Sequence, residues 1–351
     1  MKRCTLSDIS VQTGFSVTTI SRVLNGKAEE FRISNAARDI INNAVREMGY
    51  RPNIIAQNLR NNASRTLGLL VPAIENPFFA AIAGVVIREA AKYSYPVMLI
   101  DTCESIEEER RALDTLMGRN VDGIIIVPTG DNPAPLQELN RDKPLVLIDR
   151  YFEHTDLPYV CTDNFRGAYQ ATRMLIDYGH RDIMCIQGVP TSITSRRRVD
   201  GYRQALREAG LESRAYVCGN NFSTENGYVS TQLALSSGRK FTAVFALSST
   251  NLLGSLGALK DHGVEIPREV SLISFDDNLY LNYLNPPVTC VSQPMEHIGI
   301  AAVKMLIERI SGNNSGSSMV QIPPRLIPRA SVVAPPPPSM TPSPWQGIPL
   351  T

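Results

Sequence analysis

Between Thr66 and Val333 the chain alternates short, continuous apolar runs with longer amphipathic ones, a pattern few folds accept. The runs are TLGLLV (66–71), PVMLID (96–101), GIIIV (123–127), LVLID (145–149), DIMCI (182–186), AVFA (243–246) and VSLISFD (270–276). Between most of them lie helix-length segments at 78–93, 106–118, 166–178, 197–209, 225–236 and 251–262. A strand that is apolar on both faces must be covered on both faces, which a parallel sheet flanked by helices provides. The spacing predicts more than eight strands, and hence an α/β body of two doubly wound lobes. Ligands of such sheets sit at the carboxyl ends of strands or between lobes. Polar residues closing a run, such as Asp101, Asp149, Asp163 and Asp276, therefore outrank polar residues elsewhere as site candidates.

The first sixty residues have no strand-like run and read as short helices. Residues 1–66 hold ten Lys/Arg against five Asp/Glu, a net of +5, while the rest of the chain is mildly acidic at −4. A basic head on an acidic body suits a polyanionic partner. Thr5 and Ser7 are N-cap candidates for a first helix, Gly14 fits a tight turn, and Ser16 caps a second helix. Ile20, Val23 and Leu24 give that second helix a buried stripe, opposite Thr18, Thr19, Ser21, Arg22 and Asn25. This is the construction of a helix-turn-helix, whose apolar face anchors it and whose polar face meets bases and phosphates. Arg22 has the donor fork that pairs with guanine O6 and N7. A third helix is expected from the Ser34 cap through Ile40, Ile41, Ala44, Val45 and Met48, ending near Gly49. After Pro52, residues 54–59 are helical in pattern but too short to be stable alone, so they read as a linker that folds conditionally.

Several classes of function are disfavoured. No apolar run approaches the ~20 residues of a membrane-spanning helix. The start, MKRCTLSDISVQTG, has no apolar core of a secretory signal, so a cytoplasmic protein is expected. Six cysteines stand singly, without a CxxC pair, which suits reduced thiols rather than a metal knuckle or a disulfide framework. No HExxH, GxSxG, P-loop or GxGxxG motif occurs at a strand–helix junction, so neither an enzyme nor a cofactor is expected. The four histidines are scattered, and His180, between a helix and a strand, reads as a local cap. From Ala334 the chain is a tail with seven prolines in 335–351, expected to be extended or disordered.

Taken together, TLSDIS, GFSVTTISRVLNG, GYRPNIIAQNLR, TLGLLVP, ENPFF, VDGIII, TDNFRGA, GHRDI, VSLISFDD and VTCVSQP resemble the LacI/GalR family of bacterial transcription regulators. The likeness runs from Thr5 to Val332. It implies a helix-turn-helix head (1–51), a hinge helix and linker (52–65) and a periplasmic-binding-protein-like body of two lobes (66–333), ahead of the proline-rich disordered tail read from composition (334–351). It further implies a homodimer on a pseudo-palindromic double-stranded DNA operator. Val17, Thr18 and Arg22 match the family's base-reading positions. Thr5, Ser16, Thr19, Ser21, Asn25 and Tyr50 match its phosphate-contacting ones. Leu59 matches the minor-groove wedge, with Ala56 at the close approach of the two hinge helices. The stretch GKAEEFRI (26–33) is longer than in the shortest members, and no base contact is assigned to it.

For the body, the resemblance implies a small effector between the lobes. Phe78 and Phe79 in ENPFF, Asp149 and Arg150 closing LVLID, Thr194 in a loop, Arg198, Phe222, Asn251 and Asp276 are the candidate residues. Asn251 is the weaker match, because Leu252 stands where many members carry an acid. Arg198 and Asp276 suit vicinal hydroxyls. Arg150, as a second cation, favours a sugar acid or sugar phosphate over a neutral sugar. The function expected is a repressor of a carbohydrate-utilisation operon under allosteric control. A purine-responsive regulator is the alternative, followed by a sugar carrier or sugar-processing enzyme on the same body. No leucine-heptad segment is visible near the C-terminus, which favours a dimer over a tetramer.

Overall fold

The computed structural model describes residues 4–50, 64–313 and 318–337. By its contacts the chain divides into two compact units, Met1–Ser64 and Arg65–Thr351.

The first unit is built on three helices, α1 (Leu6–Thr13), α2 (Val17–Leu24) and α3 (Asn35–Glu47). Thr5 and Asp8 form a reciprocal capping box at the start of α1: Thr5 Oγ1 accepts from the Asp8 N–H, and the Asp8 carboxylate accepts from the Thr5 N–H at 2.8 Å. Thr5 therefore takes the cap, and Ser7 lies within the helix. Gly14 ends α1 at φ +74°, a left-handed turn that costs other residues dearly. Ser16 and Ser34 cap α2 and α3 through Thr19 N–H and Ala37 N–H. Ile9, Ile20, Ile41 and Ala44 form the core, with Leu6, Phe15, Val23, Leu24, Val45, Met48 and Tyr50 packed around it. The buried stripe of α3 runs through Ala37, Ile41 and Ala44, and Ile40 is 50% exposed.

The second unit carries two six-stranded sheets. The first contains β1 (Leu67–Val71), β2 (Val97–Asp101), β3 (Gly123–Ile126), β4 (Leu145–Ile148), β5 (Tyr159–Thr162) and β11 (Met319–Ile322), in the order β11-β5-β4-β3-β1-β2. The second contains β6 (Ile183–Ile186), β7 (Tyr216–Cys218), β8 (Ala243–Ala246), β9 (Ser271–Phe275), β10 (Thr289–Ser292) and β12 (Arg325–Ile327), in the order β12-β10-β9-β8-β6-β7. All pairings are parallel except β10 with β12. Every residue of β1, β3, β4, β6, β8 and β9 is buried, as the continuous apolar runs require.

Helices α4 (Pro77–Lys92) and α11 (Met295–Ile310) cover one face of the first sheet, and α5 (Ile106–Gly118) and α6 (Ala134–Asp142) the other. In the second lobe, α7 (Asn164–Asp177) and α8 (Ile193–Glu208) cover one face, and α9 (Thr224–Ser236) and α10 (Ser249–Asp261) the other. The chain passes between lobes three times: from β5 to α7, from β10 to α11, and from β11 to β12. His180 closes the end of α7 through its backbone, its N–H donating to the Leu175 carbonyl at 3.0 Å. Its Nδ1 meets Thr242 Oγ1 and its Nε2 the Val333 carbonyl, each at 2.8 Å, tying the last described segment to the second lobe. All six cysteines are free thiols. Among the described residues no helix is long and apolar enough to cross a membrane.

Candidate nucleic-acid face and effector chamber

In the first unit, helical geometry puts Val17, Thr18, Ser21, Arg22 and Asn25 on neighbouring positions of one side of α2. Val17 is 41% exposed, which takes it out of the core and leaves it free for contact. Ser16 Oγ accepts from Thr19 N–H and lies 2.9 Å from Thr19 Oγ1. Asn25 Nδ2 donates to the Ser21 carbonyl at 2.7 Å. The polar side chains expected at phosphates thus also fix the ends of α1 and α2. Tyr50 is half-buried against the head core. Ala56 and Leu59 lie outside the described residues.

The segment 26–33 forms an ordered turn. Its Ala28 is buried, and Phe31 N–H and Ile33 N–H donate to the Lys27 and Ala28 carbonyls. The Phe31 ring lies beneath the Arg22 guanidinium, 3.7 Å from its carbon to the ring centroid.

In the second unit, a chamber between the lobes is lined by Asn76, Phe78, Phe79, Glu104, Asp149, Arg150, Thr194, Arg198, Phe222, Ser248, Asp276 and Gln293. It opens beside a wider cleft that shares Asn76, Glu104, Arg150 and Phe222. Apart from the helical Thr194 and Arg198, each of these residues stands just past a strand's carboxyl end or at the start of the helix that follows. That is where doubly wound sheets present unpaired backbone and side chains to a ligand. Asp149 and Asp276 take positive φ values of 63° and 75° as the chain leaves β4 and β9. Such backbone is uncommon outside glycine and marks strand ends shaped by more than local preference.

Of the nine effector residues expected from sequence, the chamber gathers eight. Thr194, expected in a loop, is in the first turn of α8. Asn251 is the exception. It is fully buried in α10, where Nδ2 donates to the Gln187 carbonyl at 3.2 Å and Oδ1 accepts from Asn226 Nδ2 at 3.1 Å. Its amide knits β6, α9 and α10 together instead of facing a ligand. Four lining residues were not singled out from sequence: Asn76, Glu104, Ser248 and Gln293.

The two arginines differ. Arg150 is clamped by Glu104, with Nη1 and Nη2 donating to the two carboxylate oxygens at 2.8 and 2.6 Å. Burial works to lower its pKa, but the Glu104 pair holds it above the usual arginine value. Arg198 is buried with Nε donating to Asn164 Oδ1 at 2.7 Å and Nη1 to the Leu247 carbonyl at 2.6 Å. Its guanidinium stacks on Phe275 at 3.7 Å. Burial lowers its pKa, partly offset by Asp276 and Asp149. No carboxylate clamps it directly.

Burial pushes the Asp149 carboxyl up to about 6; Asp276 and Glu104 add to the rise, and Arg198 and Arg150 oppose it. Its Oδ1 is buried without a hydrogen-bond partner, and so is Arg150 Nε. Asp276 accepts from Gln293 Nε2, and Gln293 Oε1 in turn accepts from Thr162 Oγ1. Three carboxylates and two guanidiniums give the lining a formal charge of −1. Apolar faces come from Phe78 and Phe79, edge to face at 5.1 Å, and from Phe222. The Phe222 ring packs over Gly188, where a Cβ would sit 2.1 Å from it. Among the described residues no cluster of His, Cys, Asp and Glu is set to hold a metal ion.

Arg150, expected as a second cation, lines the chamber with its guanidinium clamped by Glu104. A buried cation already paired to a carboxylate in two-point geometry has little left to offer an anionic ligand, and Glu104 would repel one.

Residues 5–53 match a family described as bacterial regulatory proteins, lacI family, and residues 172–332 one described as a periplasmic binding protein-like domain. The chain is 30% identical over 333 residues to the HTH-type transcriptional repressor PurR of Pasteurella multocida, covering 93% of this chain and 98% of that one. It is 31% identical over 330 residues to the ribose operon repressor of Haemophilus influenzae, again covering 93% and 98%. A crystal structure of the lac repressor dimer bound to operator and an anti-inducer superposes with a TM-score of 0.86 at 24% identity, over 95% of this chain and 100% of that one. This last likeness bears on the fold.

Proposed function

This chain belongs to the lacI family of bacterial regulatory proteins, and from that premise we propose that it is a transcriptional repressor whose operator affinity is set by a neutral, polyhydroxylated effector. The head binds the operator and the chamber binds the effector. The observation that carries this reading is the coexistence of two sites in one chain. One is an exposed polar face on α2, and the other is a buried chamber lined from both lobes.

On the DNA side, Thr18 and Arg22 read bases, with Val17 in apolar contact. Thr5, Ser16, Thr19, Ser21, Asn25 and Tyr50 position the head on phosphates. Leu59 and Ala56 act at the minor groove as a hinge. The protein works as a homodimer on a pseudo-palindromic operator in the cytoplasm. Exposed Leu233, Leu279 and Tyr283 supply apolar area suited to contact between copies.

In the chamber, the unclamped donors of Arg198 and the acceptors of Asp276 and Asp149 bracket vicinal hydroxyls. Phe78, Phe79 and Phe222 cover the apolar face of a ring. The Glu104–Arg150 pair and the −1 balance disfavour an anion, so a neutral sugar or nucleoside fits better than a sugar acid or phosphate. An effector that prefers one lobe arrangement shifts the head's affinity for DNA, and DNA shifts effector affinity reciprocally.

The test is selection of duplexes from a randomised library by the full-length protein, followed by binding to the selected DNA with neutral sugars and nucleosides added. The expected result is an enriched inverted repeat whose affinity changes with one neutral ligand, recovered unchanged. Arg22→Ala should weaken the DNA step and spare ligand binding. Loss of both together would contradict the division of labour, and turnover of the ligand would make the body an enzyme.

A further inference from the structure

We propose that Phe31 is a specificity-positioning residue for DNA: its ring holds the Arg22 guanidinium in the plane needed to read guanine. The inference rests on the DNA-binding reading given above and deepens it.

The segment 26–33 is rooted at both ends. It leaves the C-terminus of α2, where Lys27 N–H donates to the Arg22 carbonyl at 2.9 Å, and it enters the Ser34 cap of α3. Ala28 is buried, Ile33 N–H closes onto the Ala28 carbonyl at 2.8 Å, and Arg38 on α3 reaches Glu29 at 3.5 Å. The turn anchored this way carries Phe31 under Arg22, at 3.7 Å. The ring remains 40% exposed, so its position is not explained by core packing. It does not belong to the head's apolar core.

An arginine face lying flat on an aromatic ring keeps its edge free, and all guanidinium hydrogen-bond donors lie in that edge. The Arg22 side chain makes no hydrogen bond or ion pair within the described head. Its full donor set is therefore presented outward from an oriented plane. Guanine offers O6 and N7 along one edge in the major groove, which requires two coplanar donors. A free arginine loses rotamer freedom when it makes that contact, whereas one already stacked loses less. A longer segment after α2 thus adds a support beneath a base-reading side chain without itself touching a base.

The test uses the full-length wild type, Phe31→Ala, Phe31→Leu, Phe31→Tyr and Arg22→Ala. Each is taken through duplex selection from a randomised library, and then through binding to the wild-type-selected duplex over a salt series. Arg22→Ala should flatten base preference at one symmetric pair of guanine positions. Phe31→Ala and Phe31→Leu should flatten the same positions partially and weaken the selected duplex about fivefold. Their salt dependence should be unchanged, because no phosphate contact is lost. Phe31→Tyr should behave as wild type, since it keeps the ring. A general structural role would instead weaken all positions alike and lower the melting temperature. Unchanged preferences in Phe31→Ala, flattening at positions other than those of Arg22→Ala, or tighter binding once the ring is gone would each overturn the proposal while leaving DNA binding intact. A wild type that enriches no sequence would overturn the DNA-binding reading and this inference together.

Discussion

The two lobes of the body are built alike and equip their shared chamber differently. Each has six strands, and apart from Thr194 and Arg198 on α8 each presents its lining residues at strand carboxyl ends or at the start of the next helix. The first lobe brings Phe78, Phe79, Asp149 and an arginine already held by Glu104. The second brings Arg198, tethered by neutral oxygens and stacked on Phe275, together with Asp276 and Gln293. The two arginines, one just past β4 and the other within α8, are thus not two equivalent cations for a ligand. Pairing, more than residue type, decides what charge a site offers, because a buried ion satisfied by its partner has spent its strongest hydrogen bonds.

The difference can be broken most severely at Arg198. Arg198→Ala removes the donors proposed for the effector and leaves the buried Asn164 Oδ1 and Leu247 carbonyl without their donor. Effector affinity should fall more than a hundredfold, and stability should drop by about 1–3 kcal/mol, the scale of buried acceptors left without a donor. Calorimetric titration and denaturant unfolding would read the two effects. Unaltered effector binding would remove Arg198 from the site.

Glu104→Gln sharpens the contrast from the other side. It frees Arg150 and moves the lining from −1 to 0. Selectivity between a neutral effector and its uronic acid counterpart should shift toward the acid by about tenfold, on the scale of one charge-assisted hydrogen bond. An unmoved ratio would mean that the Glu104–Arg150 pair does not face the ligand.

Asp149 supplies a pH test. Its carboxyl is raised to about 6, so the native state holds a proton that the unfolded chain, with an ordinary carboxyl near 4, has released. Its contribution to stability is therefore fully present below pH 4 and is lost as pH rises to about 6. A hydroxyl donated to Oδ1 favours the ionised form, so effector binding should release a proton and tighten severalfold from pH 5 to 7. Asp149→Asn should flatten both profiles. A wild-type affinity independent of pH over that range would mean that no donor reaches Asp149.

The smallest effect on binding is expected at Asn251. Because its amide bonds to Gln187 and Asn226, Asn251→Ala should cost about 1–3 kcal/mol of stability and change effector affinity less than threefold. A large loss of affinity in a stable variant would return Asn251 to the site.

How much of this was legible in the sequence followed from burial. Runs such as GIIIV and LVLID announce strands because both faces are covered. β7, β11 and β12 are three or four residues long, lie at or beside sheet edges and are partly exposed, so they carry little apolar signal. β5 and β10 mix Thr, Ser and Cys among their apolar residues. In the head, caps at Thr5, Ser16 and Ser34 and the glycine at 14 were readable because each answers a local backbone need. In the chamber, residues matched by motif or closing an apolar run were readable. Ser248 and Gln293 also follow apolar runs, a signal that was available and less distinctive. Arg150's charge state was not readable, because its partner Glu104 is 46 residues away and only the fold brings them together.

A chamber that holds two arginines should nonetheless select a neutral polyol, because one of them is already paired. The most direct measurement is calorimetric titration of the full-length protein with matched sets, each a neutral sugar, its uronic acid and its phosphate ester. The neutral member of the binding set should be the tightest, by tenfold or more over its anionic relatives. An acid or phosphate that binds more tightly than its neutral counterpart would contradict it.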